Sequence, residues 1–235
     1  YRIAPDDLKN GAEVSYSDLL RSGVTTLVDN VFPYPGWTDI MERSGLRLYG
    51  APGFNSSTWY RDNGHELKYR DHPEKGYADF RRALEIVDEL ESHPNGRLRG
   101  IVSPFQIDNN HQDLLLESRA AARERNIPWT THAAQAVLEH QTIVARHGLT
   151  PIQYLAKLDL LGPGTIIAHA ITHDQSSWIR WHTDLDIGLL GETHTAVAHC
   201  PTPFMRYGTV MEHFGKYRDA GVVLGIGTDT IPHNM

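Results

Sequence analysis

IPWTTHAAQ, residues 127–135, decides how the rest of the chain is read. Ile127 to Thr131 is apolar and rich in residues that suit a buried strand. His132 stands where that strand should end, and Gln135 follows as an amphipathic run, Ala136 to His147, begins. A strand that passes through a polar residue into a helix is the first half of a βαβ unit.

The same unit recurs in both directions. Further strand-like runs are Gly23–Val28, Arg47–Ala51, Leu98–Val102, Gly164–Thr172, Thr195–Ala198 and Gly221–Ile226. Amphipathic stretches lie between them at Tyr77–Ser92, Asp113–Asn126, Thr150–Leu160, Gln175–Leu190 and Thr209–Ala220. Asn126, Gly148 and Gly162 supply helix stops, and Asp174 is placed to cap the helix after it. Such alternation implies right-handed crossovers and a parallel sheet. An open doubly wound sheet and an eight-stranded barrel lacking one unit both accommodate the seven strands. No Gly-x-Gly-x-x-Gly opens a helix after the first strand, and Gly225-Ile-Gly227 runs into Thr-Asp-Thr, which argues against a dinucleotide site. The stretch from Pro52 to Gly76 reads as irregular, either a surface insertion or a lid carrying Phe54, Trp59, Tyr60 and Tyr69.

Composition narrows the function. A net charge of −7 with no basic cluster disfavours a nucleic-acid partner. No segment approaches the apolar length of a membrane span. Cys200 is the single cysteine, so an intrachain disulfide is impossible and a reducing, cytoplasmic setting is expected. The expected partner is a small-molecule substrate, and a homo-oligomer is compatible with this composition. Histidine is unusually frequent, at 14 residues, and it is the commonest metal ligand.

In a barrel, reactive groups come from the C-terminal ends of different strands. Here those ends carry Asp29, His132, His169 with His173, His199 and Asp229. Alternation places Ile167, His169, Ile171 and His173 on one face, and Val223, Gly225, Gly227 and Asp229 on another. Asp29 is expected to serve as a strand-end hydrogen bonder, and His140 and His147 to lie on a helix surface. Several imidazoles plus one carboxylate form a ligand set for a borderline divalent metal such as zinc. His169-x-x-x-His173 is not the metalloprotease helix, since residue 170 is alanine and a strand precedes it.

These residues resemble the amidohydrolase superfamily, in the branch of cytosine and guanine deaminases and triazine hydrolases. The matching motifs are Ser22-Gly-Val-Thr-Thr26 with Asp29, Thr131-His132, Ala168-His169-Ala170, His199-Cys200-Pro201 and Gly227-Thr228-Asp229. The resemblance implies a (β/α)8 barrel, read here as one catalytic domain over residues 1–235. Its first strand, with a His-x-His metal pair, and its last helix are expected outside that range. It further implies that His132 and Asp229 bind the metal and that His169 activates water or stabilises developing charge. Strand four, Val102-Ser-Pro-Phe-Gln106, offers no bridging lysine, so one divalent metal is expected, zinc before iron.

The expected chemistry is hydrolysis of a non-peptide carbon–nitrogen bond by a metal-activated water, as in deamination of an N-heterocycle or a triazine-like compound. Asp229 would take the water's proton and return it to the leaving group. Where deaminases of this branch carry a proton-donating glutamate, this chain has Gln135, whose amide cannot deliver a proton. Three readings stay open. The substrate needs no ring protonation; another group such as His169, His173 or His199 supplies it; or the barrel is a non-catalytic scaffold. Glu139, one helical turn beyond Gln135, is expected to be too remote. An amidase acting on a cyclic or acyclic amide is a further alternative. His173, His199, Trp59 and Arg206 are the expected substrate contacts, Arg206 for an anionic group because Cys200-Pro-Thr-Pro-Phe-Met-Arg206 lacks the family's Ser-Asn pair.

Overall fold

A computed structural model describes residues 5–64 and 66–230 of the chain. Helix α1 (Pro5–Arg21) carries Asp6 and Asp7 in its first turn and Arg21 in its last, matching the helix dipole at both ends. Strand β1 (Thr26–Val31), helix α2 (Trp37–Arg43) and strand β2 (Arg47–Phe54) follow. A hairpin of β3 (Ser57–Tyr60) and β4 (Lys68–Asp71) leads into helix α3 (Pro73–Glu91). Two short strands, β5 (Leu98–Gly100) and β6 (Ser103–Pro104), precede a 3-10 turn at Ile107–Asn109 and helix α4 (Gln112–Arg125). Strand β7 (Trp129–Ala133) gives way to helices α5 (Val137–His147) and α6 (Pro151–Lys157). The chain continues with β8 (Thr165–His169), α7 (Asp186–Glu192), β9 (Ala196–His199), α8 (Pro201–Arg206), α9 (Phe214–Asp219) and β10 (Leu224–Ile226).

Every pairing except the β3–β4 hairpin is parallel. One sheet runs β1-β2-β5 with β6 also on β2, and the other runs β10-β9-β8-β7. Parallel bridges Val102–Trp129 and Gln106–His132 join them, so the strands follow one another in chain order around an arc. This is TIM-type α/β architecture with helices outside the strands. Among the described residues the arc does not close, because β1 and β10 stand at its two ends.

The main core fills the space between strands and helices with Trp129, Leu114, Leu155, Ile167, Val197 and Tyr217. A second cluster, with Tyr16, Trp37, Met41, Leu48 and Leu90, packs α1, α2 and α3 around β1 and β2. Each such fully buried side chain contributes about 1.5–3 kcal/mol. Close approach also needs Gly191, where an added Cβ would lie 2.1 Å from the Ala220 carbonyl oxygen and push α7 off the segment after α9.

The seven strands read from sequence are all present, with shifted ends. Three segments depart from expectation. First, the stretch 52–76 is not irregular. Thr58-Trp-Tyr60 and Lys68-Tyr-Arg70 pair antiparallel, with Trp59 opposite Tyr69 and Asn63-Gly64 between the strands; cross-strand aromatic pairs favour such a hairpin despite the polar residues around them. Secondly, 175–190 is helical only from Asp186. Asp174 Oδ2 accepts the Thr183 hydroxyl at 2.8 Å and the Leu185 N–H at 2.7 Å, which holds the intervening residues in a compact loop. Asp174 also lies 3.4 Å from the Asp186 N–H, so it serves the start of α7 from across that loop and not a helix beginning beside it. Thirdly, 209–220 is helical only over α9, because His213 adopts φ +60 immediately before it.

No helix among the described residues is long and apolar enough to cross a membrane.

Candidate active site

The C-terminal ends of β7, β8 and β9 bring three imidazoles to one edge of the arc. His132 donates its backbone N–H to the Phe105 carbonyl at 3.1 Å, and its Nδ1 bonds the same oxygen. A carbonyl only accepts, so the ring proton sits on Nδ1 and the Nε2 lone pair stays available. Burial pushes His132 below the usual imidazole range, although the Phe105 carbonyl and the Asp229 charge oppose this.

His169 ends β8 with its ring 5.2 Å from that of His132. It is 2% exposed, and neither ring nitrogen has a hydrogen-bond partner among the described residues. Burial, then the neighbouring His132 and His199, hold its pKa well below the ordinary value. His199 ends β9, buried, with Nδ1 unpartnered and its pKa lowered by burial. All three are therefore held towards the neutral form, which keeps lone pairs free for a ligand.

Asp229 follows β10, and its charge acts on both His132 and Cys200. The backbone N–H groups of Gly227 and Asp229 face the Cys200 thiol, and a Cβ on Gly227 would come within 3.0 Å of Sγ. A side chain at position 227 would therefore crowd the thiol that these N–H groups face.

The backbone around these groups is strained. Ala134, His169, Ala170 and Asp229 adopt φ values of +52, +81, +48 and +66. Each costs on the order of 1–3 kcal/mol for a residue with a side chain and persists only where its surroundings impose it. The Ala134 carbonyl accepts N–H groups from Ile171 at 2.7 Å and Thr172 at 2.8 Å, and the Ala170 carbonyl accepts the Tyr217 hydroxyl at 2.6 Å. The positive φ values also end strand alternation at His169, so Ile171 and His173 do not continue its face. Likewise β10 stops at Ile226, before Gly227 and Asp229.

Neutral buried imidazoles with unpartnered nitrogens beside a carboxylate are the nitrogen and oxygen donors a borderline divalent metal prefers. The donor types fit, and His132 and Asp229 would hold such an ion. Among the described residues no three His, Cys, Asp or Glu side chains are placed to bind a metal by themselves. This pair would form only part of a coordination sphere.

Aromatic rings continue the row on both sides. Phe105 packs 4.7 Å from His132 and 4.7 Å from Phe32, while Phe204 stands edge-on to His169 at 4.9 Å. Residue type alone gave no reason to single out Phe32, Phe105 or Phe204.

The remaining expected residues are more dispersed. His173 is fully buried, accepts the Gln175 N–H on Nδ1 at 3.2 Å, and packs against His213 and Tyr217. Trp59 donates its indole N–H to Asp108 at 3.1 Å, which ties the hairpin to the turn after β6. Arg206 closes α8 and is exposed. Gln135 is half-buried at the β7–α5 turn. Asp29 lies within β1 and not at its end, accepting the Trp37 indole N–H at 2.7 Å and the Tyr16 hydroxyl.

Two expectations are corrected. His140 is not on the surface: it is 3% exposed, with Nδ1 bonded to the Thr172 carbonyl at 3.2 Å. His147 is half-buried and stacks on Tyr154 at 4.0 Å. Glu139 is buried at the start of α5. Its side chain folds back along the helix start and bonds the backbone at Ala134 and Gln135. An acidic residue at the third helical position is a capping signal that could have marked it.

Comparison with known proteins agrees with this fold. The profile of the amidohydrolase family matches residues 1–235. A 5-methylthioadenosine/S-adenosylhomocysteine deaminase of Natronomonas pharaonis is 30% identical over 227 residues, covering 97% of this chain and 48% of the relative. A triazine hydrolase variant superposes with a TM-score of 0.77 at 20% identity, over 95% of this chain and 48% of the other. An adenosine deaminase from Xanthomonas campestris with bound zinc gives 0.75 at 20% identity, over 97% and 47%. The chain spans about half the length of the curated relatives it matches.

Proposed function

This chain belongs to the amidohydrolase family, and on that premise we propose that the protein hydrolyses a non-peptide carbon–nitrogen bond, releasing ammonia from a flat N-heterocycle with the help of one divalent metal. The observation that carries this reading is the row of neutral strand-end imidazoles, His132, His169 and His199, with the Asp229 charge acting on His132. The metal is zinc in this reading, supported by the donor types and by the zinc-bound relative of similar fold. The relative named for adenosine derivatives supports a purine nucleoside as the first substrate class to test. A cytoplasmic setting and a homo-oligomer belong to the same reading.

When bound, the metal supplies Lewis acidity that brings the pKa of water towards neutrality. His132 would hold the ion, with its Nδ1–H on the Phe105 carbonyl, an outer contact that fixes tautomer and ring direction. Asp229 takes a proton from the attacking water and returns it to the amine as the carbon–nitrogen bond breaks. His169, with both nitrogens unengaged, hydrogen-bonds the developing charge on the former water oxygen. Gln135 offers its amide to a ring nitrogen but delivers no proton, which favours a ring already activated for attack. Phe105 and Phe204 flank the imidazoles and give a flat ring apolar surfaces to lie against.

The test is metal analysis of the intact protein, followed by ammonia release from a modified adenosine, an amino-triazine and a cyclic amide. Stoichiometric metal with turnover of either heterocycle is expected. Turnover of the amide alone would make the protein an amidase. No bound metal and no turnover would make it a scaffold.

A further inference from the structure

We infer that Glu139 is a positioning residue, which sets the direction of Gln135 by clamping the strained turn that links it to His132. The inference rests on the reading of this face as a hydrolase site. Glu139 is 2% exposed, and its carboxylate lies directly behind the turn. Oε1 accepts the Ala134 N–H at 2.8 Å, while Oε2 accepts the Gln135 N–H at 2.8 Å and faces that of Ala136 at 3.4 Å. One side chain thus binds three successive backbone amides, beginning two residues after His132.

The middle of this arrangement needs holding. Ala134 adopts φ +52, a conformation that alanine avoids unless its neighbours enforce it. From one side Glu139 takes its N–H. From the other, Ile171 and Thr172 donate to its carbonyl. The turn after β7 is therefore bolted to the segment after β8, and Gln135 inherits its place from that joint.

Helix capping alone does not account for the burial. A capping acid at the third helical position serves equally well at the surface, where water lowers the cost of its charge. Here the carboxylate is enclosed and feels the like charge of Asp108, itself buried and holding the indole N–H of Trp59 and the Tyr69 hydroxyl, at 3.1 and 2.5 Å. An expensive location for a carboxylate is explained by the geometry it maintains.

The test is a double-mutant cycle on the intact protein with Q135A and E139Q, read by kcat and KM together with amide hydrogen exchange at residues 134–136. Both Glu139 oxygens accept, so either orientation of a glutamine amide sets a donor against a donor. E139Q is expected to speed exchange at these three amides and lower kcat/KM about tenfold, chiefly in kcat. In the Q135A background it should lower kcat/KM no further than about twofold. E139D, which keeps the carboxyl group on a shorter arm, serves as the second variant if E139Q does not fold and should give a smaller loss of the same kind. Unchanged exchange, or effects of the two substitutions that simply multiply, would overturn the inference. Exchange does not depend on turnover, so a wild-type protein inactive on every substrate would refute the hydrolase reading while this arm still judged the clamp.

Discussion

The Glu139 carboxylate accepts the backbone N–H of Gln135 at 2.8 Å, although the two residues stand one helical turn apart. The amide side chain that occupies the family's acid position is thus backed by an acid that it does not expose.

Stability should depend on the titration of Glu139. Burial first, then the Asp108 charge, pushes its pKa up to about 8, against the pull of the three amides. The folded value lies above the unfolded one, so the native state binds the proton more tightly. The contribution is full below about pH 4.3, declines as pH rises, and is lost once pH passes about 8. Urea unfolding at pH 6 and pH 9 should show a loss of stability in wild type that shrinks in E139Q. An identical pH dependence in both proteins would contradict this assignment.

Replacing His132 by alanine should remove the metal. A lost outer contact typically costs 10–100-fold in metal affinity, and a lost ligand should cost more. Elemental analysis after dialysis decides the point: stoichiometric metal in H132A would mean that His132 is not a ligand.

On the proposed mechanism, Gln135→Glu would restore a proton donor beside the substrate ring. General acid catalysis is worth roughly 10²–10⁴-fold where a ring nitrogen must be protonated and little where the ring is already activated. The ratio of kcat/KM between an adenosine derivative and an amino-triazine should therefore rise in Q135E. A ratio that stays constant would place Gln135 away from the substrate.

Phe105 and Phe204 should act on binding more than on chemistry. Aromatic pairs contribute about 0.5–1.5 kcal/mol beyond the area they bury, so each alanine variant should raise KM by roughly 2- to 12-fold for a flat heterocycle. Equal KM for flat and non-planar substrates in F204A would argue against stacking there.

Asp174 should matter for stability without touching the chemistry. Its carboxylate gathers Thr183 and Leu185 and closes the loop before α7. Asp174→Ala leaves buried donors unpaired, at about 1–3 kcal/mol, and should lower the melting temperature by several degrees. A calorimetric scan checks this.

Much of the arrangement was legible in residue order. β-branched runs ending in His132, His169 and His199 announced parallel strands with polar C-terminal ends, because side-chain period and strand length leave few alternatives. Asp29 is legible as a hydrogen bonder but not as an interior residue of its strand, since nothing in Asp29-Asn30-Val31 distinguishes the last strand residue from the one before it. The hairpin over Ser57–Tyr60 and Lys68–Asp71 was hidden because its stabilising pair, Trp59 and Tyr69, meets only across the turn. His140 looked superficial because helical spacing tells which residues share a face, not which partner covers that face.

By itself, then, the sequence determined the strand–helix alternation, the family to which the chain belongs, and the strand-end identities of His132, His169 and His199. Only the tertiary structure decided that Glu139 turns back under Gln135, that Asp174 reaches across a loop, and that His173 is sealed behind the site. The reason is conformational. The turn that Glu139 holds passes through positive φ at Ala134, and the segment that leads to His173 through positive φ at His169 and Ala170; none of the three is a glycine that would mark the turn in advance. Backbone donors from neighbouring strands and buried carboxylates impose those angles, and such partners come together only when the chain has folded.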